Sequence, residues 1–185
     1  MKRFGVWFGA ICVAAAVAGL VRCGGGGAGG DASSASGAGS GDGDGRPAWL
    51  LASEPAGAVD VGAARGSAEP GDRVAVRGRI GGRVEPISEG LGVFVMVDPA
   101  IPTCAELEDD HCPTPWDYCC EPKDSLNANT AAVRIMPGGE LVEADLVALG
   151  LEPTDTVIVE GVVGEGSGVD VLVIDAEGVY EVTGG

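Results

Sequence analysis

Aromatic residues, basic residues and histidine are all scarce in this chain, and each shortage excludes something. Three Trp, two Tyr and three Phe among 185 residues leave long stretches with little bulk to bury, so much of the chain is expected to be loop or linker. The single histidine, His111, and the lack of a nucleophile motif predict a protein that is not an enzyme. No Cys-x-x-Cys stands near a helix start, which argues against a dithiol redox centre. Only 11 Lys and Arg offset 28 Asp and Glu, a formal charge of −17 with no compensating basic run. Such a surface repels nucleic acid and anionic lipid over most of its area, so no nucleic-acid partner is expected.

The little positive charge at the start belongs to a targeting segment, residues 1–23. "MKR" precedes the apolar run "FGVWFGAICVAAAVAGLV". Three export modes fit it. "AVA" at 16–18 offers small residues for signal-peptide cleavage. Cys23 is a candidate lipidated cysteine at the start of a mature lipoprotein, although Arg22 before it departs from the small residue preferred there. The run can also just span a bilayer as an uncleaved anchor. All three place the remainder outside the cytoplasm, membrane-anchored or secreted. Residues 24–47 follow as a tether, opening "GGGGAGGDASSASGAGSGDGDG". Gly and Ser supply no apolar surface to offset backbone ordering, so a flexible coil is expected. The run ends in no Lys-Ser/Thr, which excludes a phosphate-cradling loop, and "DGDG" lacks the further ligands of a calcium loop.

Residues 48–185 read as one folded domain. "DRVAVRGRI" (72–80) alternates, with Val74, Val76 and Ile80 on one face and Arg73, Arg77 and Arg79 on the other. "GVFVMVD" (92–98) is a continuous apolar strand, buried on both sides or at a barrel closure. "TAAVRIM" (130–136), "DTVIVEGVV" (155–163) and "VDVLVIDAEGVYEV" (169–182) complete a set of five strands. "ELVEADLVALGL" (140–151) has Leu141, Ala144, Leu146 and Leu149 at near-helical spacing and Gly150 as a stop, which predicts a helix. The expected fold is therefore all-β with one helix, laid out as a five-stranded OB-fold-like Greek-key barrel.

Two stretches carry a family resemblance. "AVDVGAARGSAEPGDRVAVRGRI" (58–80) resembles the lead-in of exported bacterial OB-fold domains, where a short turn of helix precedes a Gly-Asp turn and the first strand. "LEPTDTVIVEGVVGEGSGVDVLVIDAEGVYEV" (151–182) is similar to the last two strands of the small periplasmic bacterial OB-fold family. The resemblance covers about half the chain. It implies a fold and a compartment, and no catalytic residue comes with it.

Between strands 2 and 3 lies an insertion at 99–129, "PAIPTCAELEDDHCPTPWDYCCEPKDSLNAN". A loop this long inside a compact domain is usually functional or stapled in place. Cys104, Cys112, Cys119 and Cys120 are an even number in an exported domain, which predicts two structural disulfides bracing the insertion. Direct bridging of Cys119 to Cys120 would strain the ring, so each is expected to reach Cys104 or Cys112. A metal site would recruit His111. Adjacent cysteines converge poorly on a tetrahedral ion, however, so neither metal nor cofactor is expected. Trp116 and Tyr118 share a side if the piece is extended. They either cap the barrel mouth or form a contact surface for a protein or small ligand. "ELEDD" (106–110) reads as a solvated acidic loop.

Arg73, Arg77, Arg79 and Arg83 form a basic stripe, accompanied by no aromatic but Phe94. From Ala48 onward 7 Lys/Arg stand against 25 Asp/Glu, net −18, so salt bridges are the expected use of the stripe. The function this predicts is an exported, membrane-tethered, non-catalytic OB-fold domain that binds a protein or small ligand in the cell envelope. The alternatives are a nucleic-acid-binding OB module, which needs a positive groove, and a thiol- or metal-dependent redox protein, which needs free thiols.

Overall fold

The computed structural model describes residues 45–107, 112–168 and 171–183. The targeting segment with Cys23, most of the tether, Glu108, Asp109, Asp110 and His111 lie outside those residues. The elements are β1 (Val59–Asp60), α1 (Val61–Ser67), β2 (Arg73–Ile80), β3 (Val93–Val97), α2 (Lys123–Ala128), β4 (Thr130–Ile135), β5 (Thr156–Val163) and β6 (Leu172–Glu181).

Five strands close a barrel in the order β2-β3-β4-β6-β5, with β5 returning to β2. The β4–β6 pair is parallel and the other barrel pairs are antiparallel. Closure follows from the alternation in each strand. Val76 and Ile80 of β2, Phe94 and Met96 of β3, and Val133 and Ile135 of β4 face one interior and are fully buried. Gly78 allows the Met96 side chain in, since a Cβ there would lie 2.7 Å from its Sδ. β1 adds a short parallel rung to β2, and α1 turns Val61 and Ala64 onto the core before the chain enters β2.

β3 is buried on both faces, as its unbroken apolar run predicts. Val95 and Val97 are buried on the opposite side from Phe94 and Met96. A Cβ on Gly82 would meet Val97 at 2.8 Å and Val95 at 3.6 Å, so chain leaving β2 lies over that outer face.

The helix expected at 140–151 does not form. Val142 is engaged in sheet-like bonding instead: its N–H donates to Ile135 O at 2.9 Å and its carbonyl accepts from Gly92 N at 2.7 Å. That commits the chain to an extended path until Asp145, whose Oδ1 accepts from Ala148 N at 3.1 Å and starts a single turn. Gly150, at φ 95°, ends it. Leu146 and Leu151 still reach the core, so the spacing of leucines reports burial on one turn rather than a helix. Among the described residues the two short α-helices lie elsewhere, α1 before the first barrel strand and α2 at the end of the insertion.

Candidate functional site

The β3–β4 connection is built as a lobe against the barrel. Its base is closed by Asp98. Its N–H donates to Asn129 O at 2.8 Å, while its carboxylate accepts from Gly62 N at 2.8 Å and Ala100 N at 2.9 Å. The far part of the lobe seats on Gly81–Gly82. Gly82 N donates to Trp116 O at 2.7 Å, and a Cβ on Gly81 would come within 2.8 Å of the Tyr118 ring. No side chain other than hydrogen fits between barrel and lobe here.

Glu106 is the charged link. In the 3-10 turn Cys104–Glu106 it completes a capping box, accepting from Thr103 N at 2.7 Å and Thr103 Oγ1 at 2.9 Å. The same carboxylate accepts from Arg79 of β2 at 2.7 Å. The Thr103 backbone hydrogen bond, with its hydroxyl and Arg79, holds the Glu106 carboxyl below the usual value against the opposing effect of desolvation. A depressed folded value means that this carboxylate stabilises the fold above the unfolded pKa of about 4.3, and that the contribution is lost as pH falls through the folded pKa. The carboxyl carbon of Glu106, followed by NMR through an acid titration, is therefore expected to inflect below about pH 4.3. An inflection at or above that value would show that the clasp does not act on the ionised form.

Trp116 and Tyr118 do not share a side. The segment is not extended: Asp117 N donates to Thr114 O at 3.0 Å in a tight turn, and Tyr118 has φ 57°. A left-handed backbone is unusual for an aromatic residue and is held only by its surroundings. It sends the Tyr118 ring inward, where 1% of the residue is exposed, and turns the following cysteine back towards the lobe. Among the described residues the Tyr118 hydroxyl makes no well-aligned hydrogen bond, although Arg79 stands near enough to interact with it. Desolvation raises its pKa, opposed by nearby Arg79. Trp116 stays half-buried, its Nε1 donating to Val84 O at 3.0 Å beside the exposed Val84 side chain.

The cysteine sulfurs converge. Cys104 is buried, Cys112 half-buried, and Cys119 and Cys120 are exposed. Cys119 Sγ is the hub, 3.9 Å from Cys104, 3.8 Å from Cys112 and 4.0 Å from Cys120. The disulfide brace expected from the sequence is not shown at these separations of 3.8–4.0 Å. Cys104 N donates to Pro115 O at 3.1 Å, which locks the two cysteine-bearing stretches together. Asp117 joins the group: the ligand atoms of Cys104, Cys112, Asp117 and Cys119 all lie within 4.8 Å of one another. Desolvation opposes ionisation of Asp117, but hydrogen bonds from Cys119 N at 2.9 Å and Thr114 Oγ1 at 2.9 Å hold its carboxyl below the usual value. Hydrogen bonding to Cys112, then to Asp117 and Cys104, pushes the Cys119 thiol upward. Asp117 was not singled out by the sequence, where it is one acid among many.

Three of the four arginines of the stripe are spent on the domain itself, and Arg83 is exposed. Arg73 pairs with Glu177 at 2.7 Å, Arg77 with Asp60 at 2.8 Å, and Arg79 with Glu106. Phe94 lies in the core, so no stacking ring accompanies the stripe. Two depressions among the described residues enclose about 160 and 180 Å³, well below the roughly 300 Å³ at which ordinary ligand pockets begin. Among the described residues no helix is long and apolar enough to cross a membrane. In comparisons with known proteins no family model, curated protein or solved structure matches the chain.

Proposed function

We propose that the chain is an exported, membrane-tethered, non-catalytic OB-fold domain whose insertion lobe binds a protein or small ligand of the cell envelope. The observation that carries this reading is the seating of the lobe. Gly81, Gly82 and Arg79 fix it to the barrel, so Trp116 and Val84 form a surface that needs no ordering on contact. Preformed surfaces avoid the entropy cost that a floppy loop meets on binding. The OB assignment is supported by the five-strand closure, in which the third and fifth barrel strands, β4 and β6, run parallel. The contact role rests on Trp116; Tyr118 serves the interior beneath it.

The nucleic-acid alternative loses support from the paired arginines and from the net charge of −18 on 48–185. The thiol or metal alternative gains support from the cysteine cluster, without any reaction attached to it.

Compartment is tested by fusing residues 1–46 to a reporter active only outside the cytoplasm. The expected result is an active reporter that stays with the membrane fraction. Incorporation of a labelled lipid precursor, lost in Cys23→Ser, selects the lipoprotein mode. Reporter protein found only inside the cell would overturn the export reading.

A further inference from the structure

We infer that Cys104, Cys112, Cys119 and Asp117 form a tetrahedral site for one thiophilic divalent cation of the Zn2+ class. Thiolates bound at about 2.3 Å to a tetrahedral Zn2+ stand about 3.8 Å from one another. The Cys119 sulfur lies 3.8 Å from Cys112 and 3.9 Å from Cys104, which is the edge length of such a tetrahedron. Two thiols in van der Waals contact could match one edge by chance. Here three sulfurs and a carboxylate converge from three parts of the lobe, with every ligand atom within 4.8 Å of the others. A disulfide brings two sulfurs to about 2.05 Å, and a second one would have to recruit Cys120 and would leave Asp117 without a role. A common ion uses all four donors.

The donor set selects the metal class. Three soft thiolates with one carboxylate suit Zn2+ and its spectroscopic substitute Co2+, whereas Mg2+ and Ca2+ require oxygen ligands throughout. Asp117 is oriented as a ligating carboxylate usually is, by hydrogen bonds from its own surroundings, Cys119 N and Thr114 Oγ1. The obstacle of adjacent cysteines is met by using one of them. Cys119 enters the site, and Cys120 stays outside the convergent set although its sulfur is 4.0 Å from Cys119. Binding displaces thiol protons to solvent and involves no change of oxidation state. The ion would cross-link the turn at Cys104 to the 112–119 hairpin, the bracing role that two disulfides would otherwise fill. Metal binding is read directly, so its failure would leave the proposed contact surface of Trp116 untouched.

The test uses the full chain, extracted from membranes in mild detergent, reduced, freed of metal and titrated anaerobically with Co2+. The expected result is saturation at one equivalent, with the visible bands of tetrahedral Co2+ and thiolate-to-cobalt charge transfer of an intensity matching three thiolates. Zn2+ should displace it one for one and raise the melting temperature by about 5–10 °C at a hundredfold excess over Kd. Cys119→Ser is expected to weaken binding at least about a hundredfold and Asp117→Asn at least about tenfold, while Cys120→Ser leaves stoichiometry and spectrum unchanged. Octahedral Co2+ without charge transfer overturns the site, as does a spectrum that survives Cys119→Ser and is lost in Cys120→Ser. So does protein isolated from cells with both disulfides formed and no metal. If Cys119→Ser fails to fold, the wild-type charge-transfer intensity decides alone.

Discussion

Tyr118→Ala is expected to destabilise the domain by about 3–5 kcal/mol, the cost of removing a large buried ring. The residue is 1% exposed and its ring packs against Gly81, where lobe and barrel meet without an intervening side chain. Alanine keeps the Cβ, so the left-handed backbone at φ 57° is neither relieved nor worsened, and the loss reports the ring alone. Tyr118→Phe separates the ring from its hydroxyl. That oxygen is buried and without a well-aligned hydrogen bond among the described residues, and a group in that state costs roughly 1–3 kcal/mol. The phenylalanine variant should therefore be as stable as wild type or about 1 kcal/mol more stable. Denaturant midpoints at unchanged m-value measure both. A Tyr118→Ala variant within 1 kcal/mol of wild type, on the scale of about 3–5 expected, would mean that the lobe is not packed through this residue.

Gly161→Ala is expected to cost about 3 kcal/mol or more, at the upper end for overpacking, because nothing around it can yield. The β5–β6 ladder shifts register between Glu160 and Gly161, so that Glu177 is left as an extra residue on β6. The bulge turns Glu177 towards Arg73, the 2.7 Å pair that links β6 to β2. It also brings two backbones together at Gly161. An added Cβ would overlap Asp175 O and lie 2.8 Å from Ala176 Cα, and neither atom belongs to a flexible side chain. Gly168→Ala in the adjoining turn is the control. No atom of the described residues lies within 4 Å of a Cβ there, so the change should fall between neutral and about 1 kcal/mol stabilising. Equal effects at the two glycines would refute the close approach and the bulge that causes it.

The barrel strands were legible because each carries its own signal. Val74, Val76 and Ile80 alternate with arginines in β2, and Val93 to Val97 form an unbroken run that only a doubly covered strand needs. The failed helix shows the limit of such signals. Leu141, Leu146 and Leu149 satisfy helical spacing, but the backbone of Val142 is taken by Ile135 and Gly92, distant partners that no local pattern reveals. The short helix α2 has a local mark in Pro122 at its N-cap and Asn129 at its C-cap, lost inside a stretch read for its cysteines.

The site was legible in part. Spacing identified the four cysteines as a set, and it identified Trp116 and Tyr118 as unusual. It could not say that Tyr118 would turn inward, because that depends on the seat at Gly81 and Gly82, more than thirty residues away. Nor could it separate Asp117 from the other acids, since its selection depends on the same reversal of the chain. Pairing of Arg79 with Glu106 is likewise a tertiary fact. Sequence named the stripe, and the fold assigned Arg73, Arg77 and Arg79 their acids while leaving Arg83 exposed.

The most direct test of the lobe as a contact surface compares wild type with Trp116→Ala in living cells. Trp116 is half-buried, and its side chain donates one hydrogen bond, to Val84 O. Its loss should lower the melting temperature by less than about 5 °C, well short of the change in Tyr118→Ala. In the same cells, chemical cross-linking of the wild-type domain should yield a discrete adduct with an envelope component, and Trp116→Ala should lose it. Melting that falls as far as in Tyr118→Ala, with the adduct undiminished, would contradict the account and make Trp116 a part of the packing alone.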